Sequence, residues 1–366
     1  MTGRTVGVEE ELMLVHPETG RLVAVSSAAV AANHSDVEVE QELFLQQIET
    51  STPPCATAQE LRDGVRAGRR AVGRAAAAAG ARAVAVPAPV LAEVEEDITP
   101  KPRYRRIARS YGEMARQSLV SAMHVHVQVD GDEEGVTVVD GIRPWLPVLV
   151  ALSANSPFWQ GRDTLHASWR SQVWSRWPTA GPSQPFGDAT TYRAVAEAMT
   201  GWGAALDPGM LYYDVRLSAS YPTVEIRVAD VCTDIDDVLL VALLARALVS
   251  TIARSGPVGG RRDATSWRTD LLRAAGWRAA RFGLADRLVH PVSAELVPAR
   301  EVVAATLDHV REALADSGDG ETVGALADLV LGRGTGAARQ RQVHSREGGL
   351  AGVVHDLARR TEDSWA

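Results

Sequence analysis

The chain has 366 residues, 46% of them hydrophobic and 23% charged, so it can build a packed core and is not a disordered polymer. A formal net charge of -8 argues against a dedicated DNA or RNA binder. Lys101 is the only lysine, which leaves no P-loop Gly-Lys-Ser/Thr and no convincing Schiff-base site.

In chain order, Met1 to Val8 is too polar and short for a secretory signal. Thr5 to Val15 alternates like a strand, and the turn His16 to Gly20 leads into Arg21 to Val25, predicting a hairpin. Thr57-Ala58-Gln59-Glu60 has capping-box spacing and opens a helix that runs to Gly80. Short strands follow at Ala83 to Val86 and Met123 to Val129, the second ending in a polar turn at Asp130 to Gly135. A helix is expected from Pro144 towards Asn155, and a loop at Pro178 to Gly187. Asp214 to Arg216 and Thr223 to Val228 read as strands bracketing a turn. Beyond Asp234 the segments 234–254, 266–282, 298–316 and 321–332 are amphipathic helix candidates, with no strong strand among them. The longest proline-free apolar run, Val238 to Ala245, falls short of a membrane span of roughly 20 residues. Cys55 and Cys232 offer neither a disulfide framework nor a metal pair. The expectation is a soluble cytoplasmic protein with one α+β domain over 1–366: a strand-rich core at 1–232 and a helical part at 233–366.

Five constellations carry chemistry. On a strand, Glu9 and Glu11 share a face and Glu10 points the other way. Carboxylates side by side suit Mg²⁺ or Mn²⁺, or keep an acidic edge strand soluble. His124 and His126 share one face of the next strand, opposite Met123, Val125 and Val127, as a metal or phosphate site or as a solvated face. Glu225 and Arg227 also share a face, as a cross-strand ion pair or as a metal ligand beside a phosphate clamp. Asp214 and Arg216 repeat that acid-x-Arg pattern. Trp159, Trp169, Trp174 and Trp177 accompany Arg170 and Arg176, reading as a pocket wall or as core packing. Glu42 and Glu49 would share a helix face but oppose each other on a flat strand, and the pattern does not decide between them.

In this order the segments Val6 to Glu11, Gln47-Ile48-Glu49, Met123 to Val127, Ala154 to Phe158, Ser168 to Pro182, Tyr221 to Asp230 and Trp277 to Leu284 resemble the type 2 glutamate–cysteine ligase family. These are ATP-dependent carboxylate–amine ligases related to glutamine synthetase. The resemblance implies a funnel-like antiparallel sheet with outer helices, and Mg²⁺ (or Mn²⁺) bridging ATP phosphates. It implies Glu9, Glu11, Glu49 and Glu225 as metal ligands, with Glu42 matching less securely. His124 would reach a metal or the γ-phosphate, His126 would sit beside the nucleotide, and Arg227 would contact phosphate or the substrate carboxylate. Arg170 and Arg176 join them on charge and location. The implied reaction activates the γ-carboxylate of L-glutamate as an acyl phosphate and joins it to an amine, with L-cysteine the family acceptor. Expected partners are these small molecules, with neither nucleic acid nor membrane, and homo-oligomerisation stays open.

Departures from the family pattern fall at Ala122 and Gln128, where glycine is usual, and at Thr164-Leu165-His166, where Thr-Gly-Tyr is common. His166 is expected near the acceptor entrance. Two rival readings remain: a divalent-metal hydrolase built on the His-x-His strand, and a non-catalytic subunit on the ligase fold.

Overall fold

The computed structural model describes residues 3–92, 97–255, 267–347 and 349–365. Its central sheet is antiparallel, with spatial order β2 (Val39–Gln41), β3 (Gln47–Ser51), β1 (Val6–Val15), β5 (Ala122–Gln128), β9 (Thr223–Asp230) and β8 (Val215–Leu217). β4 (Arg82–Val84) pairs with the far end of β1. Small hairpins stand apart: β6 (Phe158–Trp159) with β7 (Arg162–Asp163), and β10 (Arg287–Val289) with β11 (Leu296–Pro298).

Register explains how the site is assembled. Residues directly opposite in an antiparallel pair project to the same face. Glu40 lies opposite Glu49, and Glu49 opposite Glu11; Glu9 faces His124; His126 faces Glu225, which faces Arg216. The β5–β9 register shifts between Met123 and Val125. One sheet face is therefore charged from edge to edge. The other carries Val8, Val125, Val127, Val224 and Ile226, all buried. Helices Asp132–Ile142, Leu146–Ser153 and Ile235–Ser255 supply apolar side chains to the same core.

The Ala58–Ala78 helix begins with the expected capping box: Glu60 N donates to Thr57 Oγ1 at 3.1 Å, and Glu60 Oε2 accepts from Thr57 N at 3.3 Å. Its Arg69 reaches the apolar side of β1 and grips Glu10 with two hydrogen bonds, Nε to Oε2 at 2.9 Å and a second nitrogen to Oε1 at 2.6 Å. That pair takes Glu10 away from Glu9 and Glu11.

Several expectations are corrected. Arg21 to Val25 makes only a bridge from Leu22 to Val15. The polar turn at Asp130 to Gly135 instead opens the Asp132–Ile142 helix, whose first turn carries Asp132, Glu133 and Glu134 where the helix dipole favours acids. The helical part adds Gly336–Glu347 and Leu350–Asp363, together with the β10–β11 hairpin, whose three-residue strands are too short to show alternation. Residue 266, the expected start of one helix, lies outside the described residues. The continuous run Asp132–Ser153 is long and apolar enough to cross a membrane, but 89% of its most apolar window is buried inside the protein. It is a core element here.

Candidate active site

The charged sheet face lines a cavity of about 410 Å³. Glu9, His124 and Glu225 each offer one ligand atom, and these atoms lie within 4.8 Å of one another. His124 Nδ1 is 3.1 Å from Glu9 Oε2, and His126 Nε2 is 3.2 Å from Glu9 Oε1 without the alignment of a hydrogen bond. His126 Nδ1 meets Thr223 Oγ1 at 3.0 Å. Glu225 accepts from Arg216 Nε at 2.8 Å and also pairs with Arg227. Glu11 Oε2 accepts from the amide of Ala122 at 2.7 Å. Glu40, Glu42 and Glu49 complete the acidic wall, with Arg103 and Tyr104 beside them.

Burial raises all these carboxyls, and their neighbours separate them. The Glu11 carboxyl is pushed up to about 8 by burial and by the Glu42 charge. Glu49 is raised well above the usual range by burial and then by Glu42, Glu9 and Glu11. Glu42 is raised by burial. For Glu9, burial is outweighed by the hydrogen bond with His124 and by the nearby imidazole of His126, and its carboxyl falls below the usual range. For Glu225, burial is outweighed by Arg227 and Arg216, and it falls likewise. Burial, with the Arg227 charge, lowers His124 to about 4, leaving a neutral imidazole at physiological pH.

These residues fit a divalent cation. His124 Nε2 is buried with no hydrogen-bond partner, and the crowded carboxylates of the wall repel one another. Glu9, His124 and Glu225 would hold one ion, and Glu11, Glu42 and Glu49 offer oxygens for another.

A second cavity, of about 380 Å³, shares Trp174, Trp177, Tyr212 and Arg227 with the first. Arg170 lines only this one. Its guanidinium is buried and donates to the carbonyls of Arg227 at 3.0 Å and Val228 at 3.3 Å.

The sequence profile described as "Glutamate-cysteine ligase family 2 (GCS2)" matches residues 5–359. The chain belongs to this family. It is 48% identical over 376 aligned positions to "Putative glutamate--cysteine ligase 2-1" of Nocardioides sp., covering 99% of this chain and 97% of that one. It is 47% identical to "Putative glutamate--cysteine ligase 2" of Streptomyces coelicolor, covering 98% and 99%. Among solved structures, a glutamate–cysteine ligase from Francisella tularensis, in complex with AMP, superposes with a TM-score of 0.72 at 12% identity, over 100% of this chain and 90% of that one. A bifunctional glutathione synthetase from Pasteurella multocida gives 0.72 at 14%, over 100% of this chain and 52% of that one. The fold is thus the α+β, glutamine synthetase-like antiparallel sheet with outer helices.

In this family member, Glu9, Glu11, Glu42, Glu49, His124, His126, Glu225 and Arg227 come together around the first cavity. Glu42 and Glu49 meet neither on a helix nor on one strand: Glu42 follows β2 and Glu49 sits on β3, and the chain reverses between them. Arg170 stands behind Arg227. Arg176 is not brought in. It lies past the end of the Trp169–Trp174 helix, exposed, with a hydrogen bond of 3.3 Å to Gln117 Oε1, and it lines neither cavity. His166 packs edge-on against Trp169 at 5.0 Å and also lines neither, so its expected place at the acceptor entrance finds no support. Sequence reasoning missed Glu40, Arg103 and Tyr104, which show no motif. Arg216 was legible in the acid-x-Arg repeat.

Proposed function

We propose that a single catalytic domain spanning the chain performs ATP-dependent ligation of the L-glutamate γ-carboxylate to an amine, with L-cysteine as the acceptor and ADP and phosphate as products. The observation that carries this reading is the meeting of carboxylates from β1, β3 and β9 with His124 and Arg227 on one face, beside a second cavity of substrate size. A carboxylate is a poor electrophile. Its oxygen attacks the γ-phosphorus of ATP and ADP leaves; an amine then attacks the carbonyl carbon and phosphate leaves.

Such chemistry asks the protein for positioning and charge compensation rather than a covalent nucleophile. Bound Mg²⁺ or Mn²⁺ would neutralise charge on the transferring phosphoryl group. Arg227, held against Glu225, lines both cavities, and in this reading its guanidinium would meet the acyl phosphate where they adjoin. Arg170 supports it from behind by binding its carbonyl. His124 stays neutral and is oriented by Glu9, and His126 by Thr223. An ATP-consuming ligase works where ATP is held, which favours the cytoplasm.

A hydrolase would gather further histidines. Instead His309 stacks on Trp145 at 4.1 Å and His344 meets Phe158 at 5.2 Å, both apart from the acidic wall. The test is product analysis with ATP, Mg²⁺, L-glutamate and a panel of amines. ADP and phosphate, formed only with glutamate present, are the expected products. Pyrophosphate at turnover, or glutamate-independent hydrolysis alone, refutes the reading.

A further inference from the structure

β8 and β9 pair with Arg216 opposite Glu225, so the next rung on the same face sets Asp214 opposite Arg227. The Arg227 amide donates to the Asp214 carbonyl at 2.9 Å. One rung is two residues, about 6.6 Å along the strand. Asp214 therefore stands one step beyond the Glu225 ligand position, in the wall of the second cavity. Its carboxylate makes no hydrogen bond and no ion pair among the described residues; Arg170 and Arg273 act on it only through space.

Around the same cavity are buried donors without partners: Nε of Arg170, Nε of Arg227, and the indole N–H groups of Trp174 and Trp177. Arg170 is 1% exposed and Arg227 7%, so water does not satisfy them. Arg273, from the Thr269–Phe282 helix, is exposed at the rim and has no hydrogen bond or ion pair among the described residues. One free carboxylate and several free cationic or N–H donors suit a ligand carrying both signs. A nucleotide would meet Asp214 as a like charge, and a plain amine would leave the donors unanswered.

We propose that this cavity receives the acceptor amino acid of the ligation, and that Asp214 binds its ammonium group and takes a proton from it. Arg273 receives its carboxylate. The assignment rests on the ligase reading above. The ammonium gives one proton to Asp214, and the freed nitrogen lone pair forms the C–N bond. The bond between the carbonyl carbon and the bridging phosphate oxygen breaks, its electron pair leaves with phosphate, and the nitrogen's remaining surplus proton departs with that phosphate. Burial pushes the Asp214 carboxyl up to about 7 against the pull of Arg170 and Arg273, a value suited to receiving a proton at neutral pH. The charged groups facing it across the cavity are Arg170, Arg227, Arg273 and Arg143.

The test uses the full chain with ATP, Mg²⁺ and L-glutamate, and three acceptors: L-cysteine, cysteamine and hydroxylamine. Hydroxylamine is already neutral near pH 7 and needs no base. Asp214→Asn and Asp214→Ala are expected to lower kcat with L-cysteine on the order of 10²-fold, and hydroxamate formation far less. Arg273→Ala is expected to raise KM for L-cysteine roughly tenfold while leaving cysteamine, which has no carboxylate, unaffected. Equal losses with hydroxylamine and L-cysteine overturn the assignment, as does a rise in KM for glutamate instead. An Arg273→Ala protein that treats L-cysteine and cysteamine as the wild type does also overturns it, and this surface variant does not depend on how Asp214 variants fold. Absence of hydroxamate in the wild type overturns the ligase reading itself, and this assignment with it.

Discussion

Glu9 and Glu10 are chain neighbours with opposite jobs, and substituting each by glutamine separates them. Glu10 belongs to a buried ion pair: its side chain is 3% exposed and that of Arg69 is not exposed at all. Arg69 spends its other donors on the carbonyls of Thr233 and Cys232, each at 2.6 Å, so it cannot turn to another partner. Breaking a buried pair from one side costs about 3–5 kcal/mol because a charge is left uncompensated. Glutamine keeps one acceptor oxygen, which places Glu10→Gln at the low end, about 3 kcal/mol. With ~2.1 cal/mol/K of unfolding entropy per residue over 366 residues, Tm falls by about 4 °C. Glu9→Gln relieves repulsion in the acidic wall as it loses the histidine contacts, so its stability changes within about 1 kcal/mol. Its activity falls about 10²-fold or more, because the cation that would balance the phosphate charge loses one of its ligands. Thermal melts and Mg²⁺-dependent phosphate release on both proteins read the two axes. A Glu10→Gln enzyme that melts with the wild type yet loses as much activity as Glu9→Gln refutes the face assignment.

Three further outcomes follow from the same geometry. Glu11 and Glu49 are raised in the folded protein, so between about pH 6.5 and 8.5 the folded state binds more protons than the unfolded chain; the metal-free protein loses stability as pH rises through Glu11's value of about 8, and Mg²⁺ restores more Tm at pH 8 than at pH 6.5. Melts that show no pH-dependent Mg²⁺ effect would count against the acidic wall as the cation site. Leu165 is 60% exposed at φ 60°, a left-handed conformation costing about 1–2 kcal/mol for a residue with a Cβ. Leu165→Gly relieves that strain against the extra chain entropy of glycine and stabilises by up to ~1 kcal/mol in denaturant melts, whereas a destabilised variant contradicts it. Arg176→Ala keeps wild-type kcat and KM for ATP and glutamate; a loss of more than about fivefold would return Arg176 to the site.

The sequence by itself determined the face assignments on single strands. A period of two is a local property of the backbone, so Glu9 and Glu11 against Glu10, His124 with His126, and Glu225 with Arg227 were all legible from alternation. The capping box at Thr57 was legible for the same reason, since its partners lie three residues apart. Tertiary structure alone decided which strands became neighbours. Register across β2, β3, β1, β5, β9 and β8 set Glu40 beside Glu49 and His126 beside Glu225, and no local pattern specifies such pairing. The same holds for Arg69, which is 59 residues from the Glu10 it neutralises. It holds too for Arg170 and Arg176, alike in sequence: the first is buried on a short helix and the second lies past its end in solvent. Leu165 shows the two levels together: the departure from glycine was visible in the chain, but only the fold showed that its backbone occupies the region where a side chain costs energy.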